Sequence, residues 1–161
     1  MMKVYIKNKF WSLGGDSSVF NANKEPVFIV KGRIFSYTKV KFVCDLKGRK
    51  LYKIRNRWFN PIVHKAYIYD ESGTKVATLK DKWLSFKNEY EMEAYGKEVR
   101  IEGAFFSLHS DIIIGNKIIG SINRKLTIIN DAFELEGDTN LMPFLIALVI
   151  GIDNITDKKF Q

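Results

Sequence analysis

The chain has 161 residues, 46% hydrophobic and 27% charged, with a formal net charge of +8. That is one domain, residues 1–161, long enough to bury a substantial core. A single cysteine, Cys44, excludes an intramolecular disulfide and a multi-cysteine zinc site, which fits a reducing compartment.

The first ten residues lack the uncharged apolar run of a signal peptide, so a cytoplasmic protein is expected. Charge is uneven along the chain. Residues 1–100 carry 21 Lys/Arg against 10 Asp/Glu, and residues 101–161 carry 5 against 8. An anionic partner follows from that asymmetry more directly than any fold does.

The predicted elements repeat. In chain order, "YIKNKFWS" (Tyr5–Ser12), "IVKGRIFS" (Ile29–Ser36), "KIRNRWFN" (Lys53–Asn60), "TLKDKWLS" (Thr78–Ser85), "RIEGAFFS" (Arg100–Ser107) and the weaker "SINRKLTI" (Ser121–Ile128) recur every 21 to 25 residues. Each alternates aliphatic and mostly basic positions before a bulky apolar pair, the period of a strand. Second alternating runs lie between them. Asp45-Leu46-Lys47-Gly48 and Asp70-Glu71-Ser72-Gly73 have the chemistry of short hairpin turns, Asp opening the turn and Gly supplying a positive φ. "NANKEP", "AYGKE" and "IGNK" are looser versions. Six hairpin units make twelve antiparallel strands.

The period is too short for four-stranded propeller blades, and a parallel solenoid would not need hairpin turns. A closed barrel over about 3–137 remains. Twelve strands about 4.8 Å apart, tilted about 40°, give a backbone diameter of roughly 24 Å and an interior of roughly 12 Å. One α-helix with its side chains has that width.

The last element supplies it. Leu141 to Ile152 are twelve uncharged residues within a helix expected over about 140–154, capped by Thr139 or Asn140, with Pro143 in the first turn. Glu134, Glu136 and Asp138 precede it, at the positive end of the helix dipole. Twelve residues rise about 18 Å, too short for about 30 Å of hydrocarbon, so the helix is a buried plug and not a transmembrane span. The fold class is therefore mainly β: a twelve-stranded closed antiparallel barrel of six hairpin repeats around a central, buried, hydrophobic C-terminal α-helix.

"KFWSLGGDSSVF" (Lys9–Phe20), "PVFIVKGRIFS" (Pro26–Ser36), "VATLKDKWLSF" (Val76–Phe86), "EGAFFS" (Glu102–Ser107) and "FLIALVIGID" (Phe144–Asp153) together resemble the LURP-one-related family of the tubby-like superfamily, which also includes phospholipid scramblases. The resemblance implies a twelve-stranded barrel around a central hydrophobic helix, and a lipid-binding context. The chain departs from scramblases in having three prolines, one cysteine and no acidic loop with EF-hand spacing.

No catalytic motif emerges, and no cofactor or metal is expected. His64 and His109 have no carboxylate or cysteine at ligand spacing. "GNKIIGS" lacks the lysine of a phosphate loop, and "GGDSS" reads as a strand connection. Glu89, Glu91 and Glu93 alternate along one strand face, where they can neutralise Lys80 and Lys82. The basic positions point outward when the aliphatic ones point inward. Lys31, Arg33, Lys39, Lys41, Lys53, Arg55 and Arg57 then form the candidate anion- or lipid-binding site, with Lys41 opposite Lys53 and Val40, Phe42 and Cys44 turned inward. Expected partners are an anionic membrane surface or a phosphorylated ligand. Nucleic acid or protein contact is the alternative. Single-strand binding wants exposed aromatic platforms, and most aromatics fall at the repeat positions assigned to the core.

Overall fold

A computed structural model of the chain describes residues 1–7, 16–32, 40–57, 64–81, 90–103, 109–125 and 132–156. The strands are β1 (Met2–Lys7), β2 (Ser17–Asn21), β3 (Pro26–Gly32), β4 (Lys41–Cys44), β5 (Lys50–Arg57), β6 (Lys65–Asp70), β7 (Lys75–Asp81), β8 (Tyr90–Ala94), β9 (Lys97–Glu102), β10 (His109–Ile114), β11 (Lys117–Lys125) and β12 (Ala132–Gly137). Each pairs antiparallel with its sequence neighbours, and β12 pairs with β1 from Met2↔Gly137 to Lys7↔Ala132, closing a twelve-stranded barrel. The repeated segments supply the ends of the odd-numbered strands, and Ile54 and Leu79 from them are fully buried. The bulky pairs at the ends of the repeats lie outside the described residues.

Short turns join the strands at one end of the barrel. Asp45 Oδ1 accepts the N–H groups of Lys47 and Arg49 at 3.0 and 2.9 Å, and Gly48 follows at φ +85°. Asp70 holds Thr74 N–H at 2.9 Å in the same manner. Asn21 does so for Asn23 and Glu25. These bonds keep both carboxyls below the ordinary value of 3.8, through the Arg49 N–H first for Asp45 and the Ser72 hydroxyl first for Asp70. At the same end the Tyr95 ring packs 5.1 Å from Phe144, and its hydroxyl lies 3.1 Å from that of Tyr52.

The central helix α1 (Met142–Thr156) enters from the turn end and packs chiefly against β4–β7 and β12. Met142, Leu145, Ile146, Ala147, Leu148 and Ile152 have no exposed surface, and Phe144, Val149 and Ile150 have 1%. They occupy every side of the helix, so it is buried all round. No described helix is long and apolar enough to cross a membrane. The helix starts later than the sequence suggests. Asp138 takes Asn140 N–H on its carboxylate at 2.8 Å, and the Leu141 carbonyl accepts the first helical bond from Leu145. Leu141, not Thr139 or Asn140, is the cap residue, and the first turn carries no acidic side chain. Glu134 and Glu136 pair with Lys3 instead of facing the helix dipole.

An interior as wide as one helix leaves little room for the wall, so the wall thins where the helix approaches. Gly120 and Gly137 are paired across β11 and β12, and Leu145 fills the notch between them. A Cβ on Gly137 would stand 2.4 Å from Leu145 Cδ1 and 2.9 Å from the Ile119 carbonyl oxygen. Gly151 of the helix meets Leu79 Cδ1 alone at such range, 2.4 Å away. Gly137→Ala is expected to cost about 1–3 kcal/mol in urea unfolding because backbone must move. Gly151→Ala, relieved by a rotamer change of Leu79, should cost less.

Candidate functional site

Register decides which side chains share the outer surface. The turn after β4 pairs Cys44 with Lys50, as the sequence spacing suggests, but a β-bulge shifts the next pairs to Val43↔Tyr52, Phe42↔Lys53 and Lys41↔Ile54. One extra residue, Leu51, turns every earlier side chain of β4 to the opposite face. Lys41 therefore points inward beside Ile54 and is 9% exposed, so it leaves the predicted basic face. Phe42 takes the outer position. On its other side Lys41 faces Gly32. Arg33 and Lys39, with Lys9, Lys82 and Glu89, lie outside the described residues.

The outer flank of β3 to β7 is basic and aromatic together. One row runs Lys31–Phe42–Lys53–Tyr69–Lys75 across five strands. The next holds Arg55 opposite Tyr67, and the third runs Arg57–Lys65–Lys80–Glu91. Ammonium groups cover the rings: Lys50 lies 4.4 Å from the centre of Phe42, Lys53 5.7 Å from Tyr69, and Lys75 5.5 Å from Tyr67. Glu91 neutralises Lys80 at 3.5 Å, as expected from the alternating glutamates. Among the described residues, Lys31, Lys53, Arg55, Arg57 and Lys65 have no carboxylate within ion-pair distance.

Four of the seven predicted residues thus share this flank: Lys31, Lys53, Arg55 and Arg57. Sequence reading missed Lys50, Lys65, Lys75, Phe42, Tyr67 and Tyr69. The alternation of Lys65, Tyr67 and Tyr69 in "KAYIYD" was a usable signal for three of them. Cys44 beneath the flank is buried, and burial pushes its thiol up despite nearby Lys31 and Lys50.

The other side of the barrel carries a polar seam. Lys3 bridges Glu134 at 3.1 Å and Glu136 at 3.3 Å, and Asn123 donates to Glu134 at 3.4 Å. His109 lies between Asn123 Oδ1 at 2.6 Å, on Nδ1, and Asp111 Oδ1 at 3.2 Å, on Nε2. No described cluster of His, Cys, Asp and Glu could hold a metal ion. With an oxygen at each nitrogen, both N–H groups of the imidazolium donate, which raises the pKa above 6.5, the Asn123 bond first and the Asp111 charge second. A raised folded value stabilises the fold below the unfolded pKa, and the gain is lost as pH climbs through the folded one. An NMR titration should place the His109 midpoint above 6.5, and Asn123→Ala should move it back down.

The sequence model of the LURP-one-related family matches residues 2–153. No curated protein matches the chain. An X-ray structure of an Arabidopsis thaliana protein shares the fold with a TM-score of 0.64 and 14% identity, over 94% of this chain and 91% of that one.

Proposed function

The chain belongs to the LURP-one-related family, and we propose that its barrel is a non-enzymatic cytoplasmic protein that attaches reversibly to anionic phospholipid headgroups. Contact is made through the β3–β7 flank. The row Arg57–Lys65–Lys80 carries this reading, because it opposes three cations on neighbouring strands with one carboxylate at its end. Like charges directly opposite cost a few tenths to about 1 kcal/mol per pair. An anionic surface relieves that repulsion and attracts each exposed cation by about 1 kcal/mol. Lys31, Lys53, Arg55, Arg57 and Lys65 together suit weak peripheral binding, and the cytoplasmic leaflet is the negatively charged one.

A second reading has its own observation. Phe42, Tyr67 and Tyr69 on the outside suit single-stranded nucleic acid, which stacks bases on such rings. The lysines over those rings count against stacking, because a base would have to displace them. Phosphate contact needs no such displacement.

Vesicle co-sedimentation checks the proposal. The protein should pellet with phosphatidylserine-containing vesicles and stay in solution with pure phosphatidylcholine. High salt, or Arg55→Glu with Arg57→Glu, should abolish pelleting while leaving the circular dichroism spectrum unchanged. Competition by free inorganic phosphate alone would indicate a soluble phosphorylated ligand. Equal pelleting with both vesicles, or tighter binding to a single-stranded oligonucleotide than to vesicles, sinks the lipid reading.

A further inference from the structure

In a closed ring of twelve strands, β11 is six strands from β5 in either direction, so it stands opposite the middle of the basic flank. At the turn end of β11 is a groove of about 430 Å³. Met1, Ile118, Ile119 and Leu141 form the apolar part of its lining. A β-bulge between Ile112 and Ile113 falls opposite consecutive isoleucines, leaving Ile118 60% exposed and Ile119 half-buried. Asp111, Glu136 and Asp138 line it as well, with Lys117 inside and Lys3 beside Glu136.

Each carboxylate is held through one oxygen: Glu136 by Lys3 at 3.3 Å, Asp111 by His109 at 3.2 Å and Asp138 by Asn140 N–H at 2.8 Å. The second oxygens are uncommitted among the described residues. We propose that this groove docks a short cationic, amphiphilic peptide segment of a partner protein. An apolar side chain sits between the isoleucines and Leu141, and a neighbouring Lys or Arg meets the carboxylates. The free carboxylate oxygens favour a cationic group on the occupant, Asp138 having no cation against it among the described residues while Lys3 and His109 already face Glu136 and Asp111. Openness selects a peptide over a small molecule. Pockets for small ligands bury most of their occupant, whereas Met1 here is 88% exposed. A closed barrel has no free strand edge, so recognition falls to side chains and not to strand addition. The site stands whether or not the basic flank binds membranes.

Fluorescence anisotropy of the full chain with a labelled peptide of alternating leucine and lysine tests this. Saturable binding is expected, weakened by salt, with amide NMR shifts confined to residues 117–121 and 138–141. Ile118→Ser and Glu136→Gln should each weaken it about tenfold, whereas Arg55→Glu on the opposite flank should leave it unchanged. The proposal fails if binding does not saturate or if a serine–lysine peptide binds equally well. It also fails if the shifts map elsewhere, or if both groove variants bind like the parent. The shift mapping needs no variant, so it decides even if a substitution disturbs folding.

Discussion

The width of a twelve-stranded barrel is the constraint on which the rest depends. Eight strands close on their own side chains, but twelve leave a lumen as wide as a helix. Filled with water, that lumen would strand the inner face of every strand. Filled with an apolar helix, it becomes the core. The helix must then be apolar on all sides, which explains why Met142, Phe144–Ile150 and Ile152 show no amphipathic pattern. Burying each large aliphatic side chain contributes about 1.5–3 kcal/mol, so α1 and the strand faces around it dominate stability. The glycine pair Gly120/Gly137 and the alanines Ala66, Ala77 and Ala94 are the reverse side of the same fit. The wall is thin where the plug is thick.

A filled lumen also fixes where function can reside. Wide barrels that bind ligands do so in their interiors, and here the interior is occupied. The sites proposed above accordingly lie on the outside. Because consecutive strands are neighbours all the way round, position along the chain becomes angle around the barrel. The excess of lysine and arginine in residues 1–100 therefore becomes a basic side, and the acidic remainder becomes the seam of Asp111, Glu134, Glu136 and Asp138. In a Greek-key sandwich the same composition would be shuffled between sheets. The meander makes it a separation of charge between opposite sides.

What the sequence reveals follows the same physics. The six repeats, the turns opened by Asp45 and Asp70, and the plug are legible because each is a local signal: a period, a turn residue, an apolar run. On β5, Ile54 lies inward and Arg55 and Arg57 outward, as the alternation alone implies. On β4 the alternation misleads. "KVKFVC" is ambiguous in phase, and the Leu51 bulge on the partner strand chooses the phase that puts Lys41 inside and Phe42 outside. No local preference of "KVKFVC" contains that information. A bulge is a property of two strands and the turn between them, and a single inserted residue reverses a whole face. The helix start failed for a related reason: Asp138 is spent on the entry turn, which delays the first helical bond to the carbonyl of Leu141.

The inward turn of Lys41 links fold to function. A lysine on the inner wall is expensive unless its ammonium finds partners, and a barrel with a uniformly apolar lumen would exclude it. The inner wall changes character near the last turn of α1. Asn56 is 3% exposed on β5 and pairs with Ala66, whose Cβ lies 3.9 Å from the position a Cβ on Gly151 would take. Asn154 is buried one turn further along the helix. Among the described residues the Asn56 amide and the Asn154 nitrogen have no hydrogen-bond partner, a cost of about 1–3 kcal/mol for each unsatisfied group unless water meets it. Apolar packing holds the plug from the turn end to Ile155, and the buried Asn56 and Asn154 interrupt it near the last turn. At the turn end Leu145 seats in the glycine notch and Phe144 packs against Tyr52 and Tyr95, so the plug is held by shape where it enters.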